Sequence, residues 1–454
     1  MFQGLPRYES YVPAGEWIPS VPKSWGWEPA RTIFSERKET DHVDEQMLSV
    51  TIGRGVIRQA DLIANTAKKD SSNLDKSKYK LVVPGDLVYN KMRAWQGAAG
   101  ESAYLGIVSP AYIVMTPRSG LTEYFHHVLR TPMFAKEAER WSYGITSDQW
   151  SLRPEHFKMI RFPVPPREEQ AVIVKYLAHA NARINKAITA KRRLIALLEE
   201  QKAVISANQL EGLTGSIGRL KQFSKIQTGL TMGKDYRDQD LREYPYLRVA
   251  NVQMGYVDTR EVATVMIPES EAERVTLREG DVLMTEGGDI DKLGRGTVWD
   301  GSIFPCLHQN HVFAVRCSRD LKPEFLALWL SGPTARDYFY LTAKKTTNLA
   351  STNSTTVREL PIVVPSVRDQ ARLVDELTTT EEPLNDAIRR EQVEIALLQE
   401  FRTRLVADVV TGQVDVRGVA ATLPDAVKAG ADAADDELPV LDEELVAVVE
   451  GDDV

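Results

Sequence analysis

Between Ile184 and Ile205 the hydrophobic positions fall on one helical seam. Ile184, Ile188, Ile195, Leu198 and Ile205 keep heptad spacing, Lys191 and Lys202 take the two remaining seam positions, and Lys, Arg, Glu and Gln fill the outer faces. This pattern predicts a helix laid against an apolar partner. The partner lies 200 residues further on in the same register, where Leu384, Ile388, Ile395, Leu398 and Leu405 repeat the seam without a gap. IALLEE (Ile195–Glu200) returns as IALLQE (Ile395–Glu400), and VPPREEQA (Val164–Ala171) returns as VPSVRDQA (Val364–Ala371), each a Pro-marked boundary before a helix start. The chain holds two copies of one unit.

The same reading places the other elements. PGDLVYN (Pro84–Asn90) is a turn followed by a buried run, IVSPAYIVMTP (Ile107–Pro117) reads as a further strand, and Leu121–Arg130 and Phe134–Trp141 as helices packed on that sheet. EGDVLMT (Glu279–Thr285), QNHVFAV (Gln309–Val315) and the helix Pro323–Leu330 repeat this plan in the second half. In the first copy a short helix over Arg167–Leu177 is expected to break near Ala178–Ala182 before the long helix runs to about Leu210. In the second copy the β-branched cluster Thr378–Thr380 and the first-turn signature Glu381–Glu382–Pro383 mark the break. The expected fold is α+β: two tandem mixed α/β domains, residues 1–165 and 213–365, each followed by a long helical segment, 166–212 and 366–415. Between the copies the framework is kept and the loops differ, as when one scaffold serves two targets.

Composition adjusts this picture at three points. The 454 residues suffice for two or three cores, and 43% hydrophobic with 26% charged residues is ordinary for a globular chain without a membrane span. Two cysteines and an N-terminus without a basic-then-apolar order predict a cytoplasmic protein. The net charge of −8 is concentrated: Gly418–Val454 carries 11 Asp or Glu against Lys428, a net of −10, leaving −8 − (−10) = +2 for residues 1–417. Residues 416–454 are thus expected to be an acidic disordered tail, with a transient helix near Leu438–Val449.

Candidate chemistry sits in the divergent loops. NKMRAWQGAAG (Asn90–Gly100) offers Lys91, Arg93, Trp95 and Gln96 after a strand, and WSYGITSDQW (Trp141–Trp150) offers Tyr143 and Gln149. Arg and Lys hold phosphate or read guanine, Gln reads adenine, and aromatic rings stack; a merely solvated loop is the other reading of both stretches. TEGGDIDKLGRG (Thr285–Gly296) brings Lys292 and Arg295, but its glycines lead into a strand, and GLTMGK (Gly229–Lys234) has Asp235 where a phosphate loop needs Ser or Thr. Cys306, His308, His311 and Cys317 match no common zinc spacing, so no metal is expected, and His308, Gln309, Asn310 and His311 read as a polar patch at the start of a strand. No methyl-donor loop, no Asn-Pro-Pro-aromatic tetrad and no nuclease carboxylate set is found.

These features together resemble the specificity (S) subunits of Type I restriction-modification systems. The resemblance rests on IQTGLTMGK (Ile226–Lys234), YLRVANVQMGY (Tyr246–Tyr256), LMTEGGDIDKLGRG (Leu283–Gly296) and CLHQNHVF (Cys306–Phe313), on NKMRAWQGA and GIVSPAYIV in the first copy, and on both VP…Q helix starts; it covers about residues 15–415. It implies two target-recognition domains, each reading one half of a bipartite site in double-stranded DNA, and two long conserved spacer helices that pack antiparallel, give the chain a pseudo-two-fold repeat and dock two methyltransferase (M) subunits. Restriction/translocase (R) subunits complete the complex. S-adenosylmethionine, ATP and Mg²⁺ belong to those partners, and the chain is non-catalytic and holds no cofactor. The implied DNA-contacting residues are Lys91, Arg93, Trp95, Gln96, Tyr143, Gln149, Arg248, Asn251, Lys292, Arg295 and His308–His311. A helix of about 28 residues, about 42 Å long, compares with about 34–36 Å for a DNA turn between half-site centres. Two other classes stay open from the residues alone. A single-chain methyltransferase or restriction enzyme would bind S-adenosylmethionine itself, and a coiled-coil scaffold would add no sequence preference to DNA binding.

Overall fold

Strand alternation and turn chemistry build the same sheet twice. In the computed structural model the first copy contributes β1 (Gly26–Pro29), β2 (Phe34–Arg37), β3 (Leu87–Asn90), β4 (Ala99–Glu101), β5 (Tyr112–Pro117), the helices α1 (Thr122–Leu129) and α2 (Pro132–Arg140), then β6 (Arg161–Val164) and the long helix α3 (Arg167–Leu210). The second contributes β7 (Ser216–Arg219), β8 (Ser224–Thr228), β9 (Val282–Thr285), β10 (Gly287–Gly288), β11 (Gly296–Val298), β12 (Val312–Cys317), α4 (Pro323–Ser331), α5 (Pro333–Thr342), β13 (Lys344–Lys345), β14 (Ala350–Ser351), β15 (Pro361–Val364) and the long helix α6 (Val367–Val410). The structure describes residues 4–64, 75–144, 150–234, 236, 239–253, 255–288, 293–345 and 350–425. Gln149, Lys292 and the stretch Leu438–Val449 lie outside them.

The chain divides into two compact units with boundaries inside the long helices: Met1–Ala190 with Val393–Val454, and Lys191–Gln392. Each contains a four-stranded antiparallel sheet of one topology, β2-β5-β3-β4 in the first and β8-β12-β9-β11 in the second. PGDLVYN and EGDVLMT hold the same post in both. Asp86 is buried, accepts from the main-chain N–H of Val83 (3.0 Å) and pairs with Arg37 (2.9 Å); Asp281 is buried, accepts from the N–H of Arg278 (2.9 Å) and pairs with Arg316 (2.9 Å). The run after each Asp is buried because both sheet faces are covered. In the first unit Leu87 and Tyr89 pack under α1 and α2 with Phe34, Phe125 and Phe134, while Val88 and Val114 face Leu48, Val50 and Val108. IVSPAYIVMTP, expected as one strand, is two. Tyr112 N–H closes a turn on Ser109 O (3.0 Å), Pro110 has no N–H to give a ladder, and the two halves join different sheets.

The repeated VP…Q start explains how each sheet unit is tied to its helix. Gln170 accepts from Leu121 N–H (2.7 Å) and donates to Pro165 O (2.8 Å); Gln370 accepts from Lys322 N–H (2.8 Å) and donates to Asp320 O (2.7 Å) and Pro365 O (2.8 Å). Both side chains are buried and spend their amides on main-chain groups, which any loop sequence supplies.

Helices α3 and α6 are 44 residues each and unbroken. The expected breaks are absent for two reasons. Ala178–Ala182 contains no Gly or Pro, and Tyr176, Leu177, Ala180 and Ile184 stay on one buried stripe through it. Around Pro383 tertiary contacts override the local signal. Leu373 and Leu377 are held in the second unit's core, Ser206 donates to Glu381 (2.9 Å), and Thr378, Thr379 and Thr380 back-bond to the carbonyls of Val374, Asp375 and Glu376. The expected break in the helix is thus carried as a single missing hydrogen bond. Replacing the exposed Pro383 by Ala should therefore stabilise the fold by up to about 3 kcal/mol, seen as a raised denaturation midpoint; a lowered midpoint would contradict a strained proline.

The helices run antiparallel, since in the second unit Lys191 meets Glu391 (2.9 Å) while Ser206 meets Glu381. Ile184, Ile188, Ile388 and Leu405 are buried, and Ile195, Leu198, Ile205, Leu384, Ile395 and Leu398 half-buried. The two polar seam positions are also accounted for: Lys191 pairs with Glu391, and Lys202 with Glu199 one turn back. In the first unit the end of α6 completes the core. Leu405, Val409 and Val410 pack with Tyr8, Val21 and Trp25, and Tyr124 donates to Val410 O (2.8 Å). Gly412, at φ 72°, ends that helix so close to Pro22 that a Cβ would lie 2.4 Å from Cδ. Buried Glu169 accepts from Tyr8 (2.5 Å) and Trp25 (3.0 Å), and burial with that hydrogen bond raises the Tyr8 phenol well above its usual range.

Candidate nucleic-acid interface

Both divergent loops grow from one main-chain frame. In the first unit the residue after β3, Lys91, donates its N–H to Ala111 O (3.2 Å) and accepts from Leu152 N–H (2.8 Å). In the second the residue after β9, Glu286, donates to His311 O (2.9 Å) and accepts from Thr352 N–H (2.8 Å). Ala111 and His311 are 200 positions apart, as are Leu152 and Thr352. Three segments thus meet twice in the same way: the loop after the third strand, the turn before the long central strand, and the stretch after the second helix of the pair. The side chains they carry differ.

In the first unit the site is aromatic. Asn90 turns the chain by accepting from Met92 N–H (2.9 Å), a short 3-10 turn spans Ala94–Gln96, and Gly97 closes it at φ 91°. Arg93 donates to Gln96 (3.1 Å), and Trp95 donates to Met92 O (2.9 Å) while meeting Trp150 edge-on at 5.5 Å. Tyr143 is 59% exposed, is bridged to Ser151 and lies 5.0 Å from the His156 ring. The structure therefore brings Lys91, Arg93, Trp95 and Gln96 together with Tyr143 and Trp150, joined through Trp95 and Trp150.

In the second unit Gln309 N–H bonds Leu247 O (2.9 Å) and Asn310 N–H bonds Leu230 O (2.9 Å), which gathers Arg248, Gln309, Asn310 and His311 on one rim. Exposed His311 bonds Glu286 through Nδ1 (2.6 Å), and Arg295 lies half-buried just before β11. GLTMGK packs against this turn: a Cβ on Gly229 would stand 2.1 Å from His308 O, so its first glycine serves close backbone approach. Two predicted contacts face inward. Asn251 is buried, accepts from Arg248 N–H (2.9 Å) and donates to Asp258 O (2.8 Å) and Glu261 O (2.9 Å), holding the loop that they close. His308 is fully buried with Nδ1 donating to Val312 O (2.6 Å), and burial lowers its pKa to about 4, so the ring is neutral. Burial likewise pushes the Cys306 and Cys317 thiols up to about 12, away from the thiolate a metal needs. Among the described residues no group of three or more His, Cys, Asp or Glu is placed to hold a metal ion.

The sequence reading missed Lys344 and Lys345. β13 and β10 flank β14 in one small sheet, which pairs Lys344 and Gly287 with Ser351 and Lys345 and Gly288 with Ala350. The signal was available. α2 and α5 begin at prolines 201 positions apart, so Tyr143, already singled out, corresponds to Lys344.

No family model matches the chain. It is 23% identical over 450 residues to the Type I restriction enzyme EcoKI specificity subunit of Escherichia coli (strain K12), covering 87% of this chain and 93% of that protein. It is also 23% identical over 150 residues to the putative Type I restriction enzyme MjaX specificity subunit of Methanocaldococcus jannaschii, covering 33% of this chain and 35% of that one. Among solved structures, a chain from a Type I restriction-modification system, described for its complex assembly and conformational transition, superposes with a TM-score of 0.60 at 15% identity, over 87% of this chain and 99% of that one. The resemblance read from the motifs holds along most of the chain, and so does the expected fold.

Proposed function

We propose that this chain is the DNA-recognition subunit of a Type I restriction-modification system. Residues 1–165 and 213–365 are its two target-recognition domains, each reading one half of a bipartite site. Residues 166–212 and 366–415 are the spacer helices, and 416–454 an acidic extension. The observation that carries this reading is the frame common to Lys91, Ala111 and Leu152 and to Glu286, His311 and Thr352: one scaffold presenting two different side-chain sets. A duplicated reaction centre would repeat its side chains. A duplicated reader of two different sequences repeats only its backbone.

In this reading the chain contributes recognition and spacing and acts in the cytoplasm. Among its described residues no helix is long and apolar enough to cross a membrane. Two methyltransferase subunits bring S-adenosylmethionine, and restriction/translocase subunits bring ATP and Mg²⁺. Leu197 and Leu397, 54% and 57% exposed on the outer faces of the spacer helices, supply apolar surface for the methyltransferase subunits. The test is to co-express the chain with its methyltransferase subunit in a host free of adenine methylation and map methyladenine by single-molecule sequencing. Appearance of one split motif, two short half-sites around an unspecified gap, is the expected result. Methylation without a split motif, or the same pattern with the chain omitted, rejects it.

A further inference from the structure

We propose that the two recognition units hold DNA by different forces: the second anchors the phosphate backbone through Lys344 and Lys345, while the first uses aromatic side chains at the matching position. The proposal rests on the DNA-reading assignment and adds the chemistry of each site. In the second unit β13 places the two lysines on the outer strand of the small sheet, and both are exposed. Neither lysine is paired with a carboxylate among the described residues. Lys345 rests its ammonium 3.9 Å from the Tyr340 ring centroid, which orders the cation without neutralising it. On the opposite edge of the same sheet stand Gly287 and Gly288, and a Cβ on Gly288 would meet nothing within 4 Å. A cationic edge strand in a small sheet whose other edge carries no side chains suits a sugar-phosphate backbone, which needs charge and close approach and offers no base edge to read.

In the first unit the corresponding residue is Tyr143, 59% exposed beside His156, and Trp150 stands where the second unit has Ala350. Trp150 meets Trp95 of the neighbouring loop. Rings at this place contribute stacking or insertion, and being uncharged they neutralise no phosphate and release no counterions. The same point of the frame therefore serves counterion release in one half of the chain and ring contact in the other.

The difference can be read from salt dependence. The full chain is titrated against a fluorescein-labelled random-sequence duplex by anisotropy over a range of NaCl concentrations. Removing two phosphate contacts with the double substitution K344A/K345A should flatten the slope of log affinity against log salt by about 0.9 per contact, or about 1.8. K344R/K345R should restore it, and Y143A should leave the slope unchanged. A K344A/K345A slope equal to that of the unsubstituted chain, at an unchanged melting temperature, overturns the proposal, as does a Y143A slope that flattens equally. Absence of duplex binding by the unsubstituted chain would overturn the DNA-reading assignment itself, so the two failures are distinguishable.

Discussion

Exchanging residues 213–365 for the equivalent unit of a Type I specificity subunit is expected, on the proposed function, to change one half of the methylated motif and leave the other half as it was. The structure gives the reason such a graft should fold. Its C-terminal junction is held by Gln370, whose bonds go to the main chain of Lys322, Asp320 and Pro365 and so do not depend on the incoming sequence. Its N-terminal junction follows Gly212, which ends α3 at φ 71° and where a Cβ would meet nothing within 4 Å. What the graft must supply is an apolar face for Leu210, Leu373 and Leu377, which pack into the second unit's core. Single-molecule methylation mapping reads the outcome. Change in both half-sites, or in neither, would show that the units do not read independently.

Replacing Asp281 by Ala should cost the second unit about 3 kcal/mol, the low end of the range for removing one partner of a buried ion pair, because Arg316 keeps some solvent and a second bond to Thr276 O. The Asp281 carboxylate is 1% exposed and accepts from Arg316 Nε and Nη2 as well as from Arg278 N–H. Its loss leaves Arg316 Nε–H and the turn N–H of Arg278 without their acceptor at the base of β9. Calorimetry should show the transition lowered by about 6–12 °C, at about 2–4 °C per kcal/mol for a unit of this size. A drop under about 1 °C would mean that the repeated Gly-Asp motif is not a structural anchor. The motif would then need another reason to occur in both copies.

The sequence by itself determined the duplication and the framework strands and helices common to both copies, and pointed to the proposed class of function, because these depend on periodicity and on residue types repeated at fixed offsets. The offset of 200 placed both seams, and both Gln170 and Gln370, before any contact was known. The family resemblance came from the loops, from GIVSPAYIV and from both VP…Q helix starts, where backbone approaches such as Gly229 against His308 and buried amides such as Gln170 and Gln370 restrict residue type. Tertiary structure alone decided the rest. Pro383 is a local stop signal, yet α6 runs through it because packing of Leu373 and Leu377 and a bond from Ser206 outweigh one missing hydrogen bond. His308 and Asn251 look like surface readers by type and are buried, since their partners, Val312 O, Asp258 O and Glu261 O, are main-chain atoms with no sequence signature. Lys344 becomes a neighbour of Gly287 only through their common strand at Ser351. Contacts between segments distant in the chain depend on loop closure and burial, and neither is written in the local order of residues.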